Sequence, residues 1–248
     1  KYILGFKAGT QQIEDKLKEL YPGVRTLRMD ADTTRAKDSY EKILSAFSNG
    51  EADVLIGTQM IVKGHDFPKV TLVGILAADL SLNASDYRAG ERTFQLLTQA
   101  VGRAGRGALP GEAVIQTYQP DHYAITCAAA QDYKSFYEEE ILYRELSGYP
   151  PAAHMLAVQI YGKEEENVKQ LARRLTDVVK SNMDFLQILG PTPANISKIN
   201  DIYRYVFYAK HAEYDTLVAV KDCVEETLRQ WQPRQLSIQF DFDPVNVL

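Results

Sequence analysis

The 248-residue sequence is poor in the side chains that most often announce chemistry: it has two cysteines, four histidines and a single tryptophan. Cys127 and Cys223 lie far apart without metal-ligand spacing, which predicts two reduced thiols in a cytoplasmic protein and excludes a disulfide framework. Long apolar runs are also missing. Residues 70–78 are among the longest, far short of a bilayer span, so no membrane role is expected. No basic segment followed by an apolar stretch opens the chain, which argues against a secretory leader. Neither a Gly-x-x-x-x-Gly-Lys-[Ser/Thr] loop nor an Asp-Glu pair occurs, so the chain by itself is not expected to hydrolyse a nucleoside triphosphate.

An excess of positive charge is absent too. Lysine and arginine number 28 against 33 acidic residues, a net charge of −5. Residues 1–150 hold 17 basic and 20 acidic groups, and residues 151–248 hold 11 and 13. Neither part attracts nucleic acid by its overall field, so any such contact falls to local loops and backbone amides. A hydrophobic share of 45% with 25% charged residues is that of an ordinary globular protein.

The first 150 residues alternate helix-like and strand-like segments. Helices are expected over residues 10–20, 34–47 and 86–106, with Asp32 or Thr33 capping the second. Strands are expected over residues 24–29, 53–56, 71–76 and 112–118. That alternation predicts a parallel sheet covered by helices, with function gathered at the carboxyl ends of the strands. After a helical stretch to about residue 146, Gly148-Tyr149-Pro150-Pro151 breaks the pattern and marks the expected boundary between domains 1–150 and 151–248. The remainder reads β (155–161), α (164–182), β (186–189), β (201–210), α (213–231), β (236–242). That order is the split βαβ, or ferredoxin-like, arrangement.

The sharpest local pattern is Gln99-Ala100-Val101-Gly102-Arg103-Ala104-Gly105-Arg106. On a helix, Phe94, Leu97, Val101 and Ala104 form one apolar stripe, and Gln99, Arg103 and Arg106 fall opposite, extended by Arg88, Arg92 and Gln95. Arginine stays charged and offers a planar fork to phosphate oxygens. Gly102 and Gly105 each cost about 1 kcal/mol in a helix interior, which predicts a close approach there by a ligand or another domain. A second polar segment, residues 57–67, follows a strand directly. Its Gly57 admits a close phosphate, Thr58 offers a hydroxyl and an amide, and Lys63 adds a charge. Tyr203, Arg204, Tyr205 and Tyr208 are read as strand core with a solvent-facing arginine rather than as a platform for unpaired bases.

The pattern Gln-x-x-Gly-Arg-x-Gly-Arg resembles motif VI of the superfamily 2 helicases, and residues 57–67 resemble their motif V. Residues 21–34, 68–74, 77–79, 86–93, 110–118, 139–151 and 241–244 are similar to the replication-restart branch of that superfamily. The resemblance implies an α/β architecture: a RecA-like second motor lobe carrying motifs IV to VI, then a smaller ferredoxin-like domain. It implies that Arg103 and Arg106 are arginine fingers for the γ-phosphate and that Gln99 positions the water or the phosphate. It places Gly64, Asp66 and Gly102 near the nucleotide, and turns Gly57, Thr58, Gln59 and Lys63 toward DNA. ATP and Mg2+ would be held mainly by a first lobe. Zinc would belong to a cysteine-rich insertion that lies just before this region in the family. The implied activity is 3′-to-5′ helicase action at stalled forks, with single-stranded and forked DNA, single-strand-binding protein and primosome proteins as partners. A non-catalytic nucleic-acid or protein-binding scaffold, or another superfamily 2 translocase, are the competing readings.

Overall fold

The computed structural model describes residues 9–35, 38–62, 67–84, 86–105, 109–233 and 235–245. It divides into two compact units, residues 1–84 with 88–136 and residues 85–87 with 137–248.

In the first unit, helix α1 (Thr10–Leu20) precedes β1 (Thr26–Met29), and α2 (Ser39–Ser48) precedes β2 (Val54–Gly57). The strands β1 and β2 pair in parallel, Thr26 opposite Val54 and Met29 opposite Gly57. Helix α2 starts later than expected, at Ser39 rather than in the mid-thirties. The Asp30 carboxylate accepts from the Asp32 and Thr33 amides at 3.0 Å, and the Thr34 amide donates to the Asp30 carbonyl at 3.1 Å. Those bonds hold residues 30–34 in a turn, so Asp32 and Thr33 serve that turn instead of capping the helix.

Strands β3 (Leu72–Ile75) and β4 (Glu112–Ile115) form a second parallel pair, with Leu72 opposite Glu112. Among the described residues the expected parallel sheet is therefore two two-stranded sheets. The short α3 (Asp79–Leu82) and the longer α4 (Ala89–Val101) join β3 to β4, and α5 (Tyr123–Ala130) follows. Phe94 and Leu97 of α4 pack with Ala124, Ile125, Cys127 and Ala128 of α5 and with Phe136. Phe94 stacks on Phe136 at 4.0 Å between ring centroids.

The second unit takes most of α6 (Tyr133–Ser147), then β5 (His154–Gly162), α7 (Glu165–Asn182), β6 (Gln187–Ile199), β7 (Ile202–His211), α8 (Tyr214–Trp231) and β8 (Leu236–Phe242). Its four strands lie in the order β6-β7-β5-β8, every neighbour antiparallel. Val168, Leu171, Ala172, Leu175 and Val179 recur at helical spacing on α7, and Leu217, Val220 and Val224 on α8. They meet Leu156, Val158, Ile160, Tyr205, Phe207 and Ala209 from one face of the sheet. Each large apolar side chain fully buried there stabilises by about 1.5–3 kcal/mol. Tyr205 thus lies in the core and Tyr203 packs against it, as read from the sequence. On the other face Met155, Ala157, Val206 and Tyr208 form a smaller cluster, covered by Tyr87 and Tyr149.

Strand β6 runs well past the four residues expected. It is an edge strand, so Pro191 and Pro193 withhold no bond from an inner ladder. Asn200 and Asp201, both at positive φ, turn it into β7. The compact units divide between Phe136 and Tyr137, ahead of the Gly148–Pro151 break. The end of α6 is held within the second unit: Lys210 donates to the Ser147 carbonyl at 2.6 Å, and Arg144 to the Pro150 carbonyl at 2.8 Å.

Candidate functional site

Helix α4 carries the candidate chemistry at its carboxyl end. Its inward face is Ala89, Thr93, Phe94, Leu97 and Ala100. Gln95 and Gln99 are exposed, and Arg88 and Arg92 are half-buried. Arg88 is engaged by Glu91 at 3.0 Å, and Gln95 donates to the same carboxylate at 3.1 Å. The expected apolar stripe is present at Phe94 and Leu97 and weakens at Val101 and Ala104, which are half-buried.

The helix ends at Val101, five residues before the expected end. Gly102 is its C-cap, and residues 102–105 form turns. Arg103 is therefore presented from the turn after the helix, half-buried, and not from the helix itself. Arg106 lies outside the described residues.

The two glycines also differ from expectation. Gly102 leaves the helix, and a Cβ there would meet the Thr98 carbonyl at 3.2 Å. Gly105 sits at φ +70, and its Cβ would meet the Gly111 nitrogen at 2.7 Å. Its amide donates to the Val70 carbonyl at 3.1 Å. The close approach predicted at Gly105 is thus made by the chain's own entry to β4, which binds the turn to the amino ends of β3 and β4.

The second candidate segment begins at the carboxyl end of β2. A Cβ on Gly57 would stand 2.5 Å from the Met29 carbonyl oxygen and 2.5 Å from Ile61 Cγ2. The space freed by this glycine admits the Met29 backbone of the neighbouring strand. Thr58 and Gln59 are exposed just beyond it. A 3-10 turn, Gln59–Val62, follows and packs against α4. Lys63, Gly64 and Asp66 lie outside the described residues. Beyond the segment, Val70 before β3 is the residue to which Gly105 is tied.

Two buried carboxylates that sequence reasoning left without a role organise the surrounding loops. Asp30 follows β1. A hydroxyl bond from Thr10 and the backbone amides of Thr33 and Asp32 outweigh burial and, with Arg28 at 2.9 Å, hold its carboxyl down at about 2. Asp79 begins α3. Burial pushes its carboxyl up, but the Thr117 hydroxyl at 2.8 Å and the Tyr118 amide more than offset this and leave it below its ordinary value. Asp79 so joins the loops that leave the carboxyl ends of β3 and β4. The available signal was an aspartate just past an apolar strand run, where a carboxylate can accept loop amides.

Comparison with known proteins finds two family models along the chain. The helicase conserved C-terminal domain matches residues 2–108, and the primosomal protein N C-terminal domain matches residues 145–245. The replication restart protein PriA of Bacillus subtilis (strain 168) is 42% identical over 246 residues, covering 98% of this chain and 31% of the relative. That of Synechocystis sp. is 37% identical over 247 residues, 99% of this chain and 29% of the relative. That of Chlamydia pneumoniae is 45% identical over 206 residues, 83% of this chain and 28% of the relative. The chain spans about a third of the length of these curated relatives. Carrying both domains in this order, the chain belongs to the PriA family of replication restart proteins.

Proposed function

We propose that this chain is the second motor lobe and C-terminal domain of an ATP-dependent 3′-to-5′ DNA helicase that restarts replication at stalled forks and loads the primosome. The observation that carries this reading is that the turn Gln59–Val62, just after Thr58, packs against α4, whose carboxyl end leads into Arg103. The Gly105 amide is bonded in turn to the Val70 carbonyl, which ties the turn bearing Arg103 to the entry of β3. A group facing nucleotide and a group facing DNA then belong to one mechanical piece, which is what coupling hydrolysis to movement requires.

In this reading Arg103 and Arg106 stabilise charge on the transferred phosphoryl group, Gln99 orients water or phosphate, and Gly64, Asp66 and Gly102 lie beside the nucleotide. Thr58, Gln59 and Lys63 face the DNA backbone, with Gly57 contributing its backbone alone. Guanidinium and amide groups fit phosphate oxygens. Mg2+ would neutralise phosphate charge, with its ligands in the first lobe. Zinc belongs to the cysteine-rich insertion of the whole protein. The second unit is read as a ferredoxin-like domain that meets single-stranded and forked DNA, single-strand-binding protein and primosome proteins in the cytoplasm. No described helix is long and apolar enough to cross a membrane.

The test is ATP hydrolysis by the full-length enzyme. Arg106→Ala is expected to remove about 10³-fold or more of kcat while DNA affinity stays within about twofold. Unchanged turnover would remove the arginine from this role. The 248-residue chain alone is expected to hydrolyse no ATP.

A further inference from the structure

Helices α7 and α8 take one face of the second unit's sheet, where Val158, Ile160, Tyr205 and Phe207 meet them. Alternation along the strands turns Gln159, Tyr161, Arg204, Ser237 and Gln239 to the other face. Tyr149 packs on that face over Met155, Ala157, Val206 and Tyr208, toward the start of β5. Toward the end of β5, Ser237 and Gln239 are exposed and Tyr161 and Arg204 are half-buried. Tyr161 stands between Arg204 of β7 and Ser237 of β8. Its hydroxyl donates to the side-chain oxygen of the buried Gln159 and lies 3.2 Å from that of Gln239, which sets the tilt of the ring. The Arg204 guanidinium lies over the ring, 5.7 Å from its centroid. Beside the ring opens a groove of about 420 Å³, lined also by Lys163, Ile202, Gln235, Leu236 and Ser237, a volume typical of ligand clefts.

Residues 151–248 hold 13 acidic groups against 11 basic, yet among the described residues neither Arg204 nor Lys163 forms an ion pair. The Arg204 Nε is buried without a hydrogen-bond partner. A guanidinium that is dry at its root and unpaired at its tip suits an anion brought from outside the chain. The aromatic ring beside it comes neither from Tyr203 nor from Tyr205, which belong with the helix-covered core, but from Tyr161 on the neighbouring strand. A ring held in place, a free guanidinium and a free ammonium therefore share one end of one sheet face.

We propose that this end of the sheet binds single-stranded DNA, with a base stacked on Tyr161 and backbone phosphates on Arg204 and Lys163. The inference rests on the reading that the second unit meets single-stranded DNA, and it gives that contact a place. Every base offers a flat face to an aromatic ring, so such a platform holds a strand without choosing its sequence. An acidic peptide would use the two cations but bring no planar partner to the ring. A duplex keeps its bases stacked on one another and leaves the ring unused.

The experiment is fluorescence anisotropy of a labelled oligothymidylate with the whole 248-residue chain, at several salt concentrations and without ATP. Tyr161→Leu is expected to weaken binding about tenfold while duplex binding and Tm stay near those of the parent. Tyr161→Phe, which keeps the ring, should remain within about threefold of the parent. Arg204→Gln should weaken binding and lower the slope of log K against log salt by about 0.7, the loss of one phosphate contact. Unchanged affinity in Tyr161→Leu and Arg204→Gln overturns the proposal. So does an equal loss of single-strand and duplex binding with a lowered Tm, which assigns Tyr161 to folding. Displacement by polyglutamate that ignores Tyr161→Leu would give the face to an acidic peptide, and tighter binding of the matching RNA strand would give it to RNA; either result overturns the DNA assignment. If Tyr161→Leu does not fold, crosslinking of an iododeoxyuridine oligonucleotide to the parent decides: a crosslink at Tyr161 supports the site, and crosslinks only elsewhere overturn it. A parent chain that binds no oligonucleotide overturns the proposal together with the DNA-binding reading of the second unit, whereas binding that the variants leave intact overturns the proposal alone.

Discussion

Gly105 and Gly111 lie backbone against backbone, so close that a Cβ on Gly111 would stand 2.0 Å from the Gly105 nitrogen. The contact locks the turn after α4 onto the entry to β4, and with the bond to Val70 it fixes the backbone that presents Arg103.

Gly111→Ala is therefore expected to destabilise the first unit by about 1–3 kcal/mol, because the obstructing atoms are backbone and cannot rotate away. Urea denaturation should show a lower midpoint at an unchanged m-value. A midpoint equal to that of the parent would mean that the turn is not held this way.

Asp30 predicts an acid-sensitive element. Its carboxyl is held down at about 2 against an ordinary 3.8, so its stabilisation is complete above about pH 4 and is lost as pH falls toward 2. Removing the carboxylate in Asp30→Ala frees the Asp32 and Thr33 amides and should cost about 1.5–3 kcal/mol at pH 7. The difference between parent and variant, followed by chemical denaturation, should shrink between pH 4 and pH 2. A constant difference would show that the loss comes from packing.

Glu140 and Arg144 form an ion pair whose side chains are 8% and 7% exposed. Arg144→Met should cost about 3–5 kcal/mol, since it removes the guanidinium that Glu140 holds at 2.6 Å in a buried position. Adding Glu140→Met should return part of that loss. Strict additivity in this double-mutant cycle would mean that the pair carries no coupling.

Arg103→Lys keeps the charge but not the planar fork that spans two phosphate oxygens. In the full-length enzyme it is expected to reduce kcat for ATP by about tenfold or more, with little change in DNA binding by fluorescence anisotropy. A lysine variant that turns over like the parent would reduce Arg103 to a simple surface charge.

Much of the architecture was legible because it is written in local periodicity. The expected helix 164–182 and strand 236–242 match α7 and β8 within a residue, and the apolar positions Val168, Leu171, Leu175 and Val179 recur on α7 at helical spacing. Helix ends were less legible. Residues 30–34 offered a capping pattern, yet Asp30 took their amides for a turn, and α4 stopped at Val101 because Gly102 ended it.

What the amino-acid order determined alone was the succession of elements, the two covered faces of helix and strand, and the Gln-x-x-Gly-Arg-x-Gly-Arg pattern. Only the tertiary structure decided that Gly105 serves Gly111, that Gly57 serves Met29, and that Tyr87 packs on the sheet of the second unit. The reason is physical. Periodicity and capping act between residues a few positions apart, whereas a missing Cβ or a stacked ring gains its meaning from backbone that arrives from far along the chain.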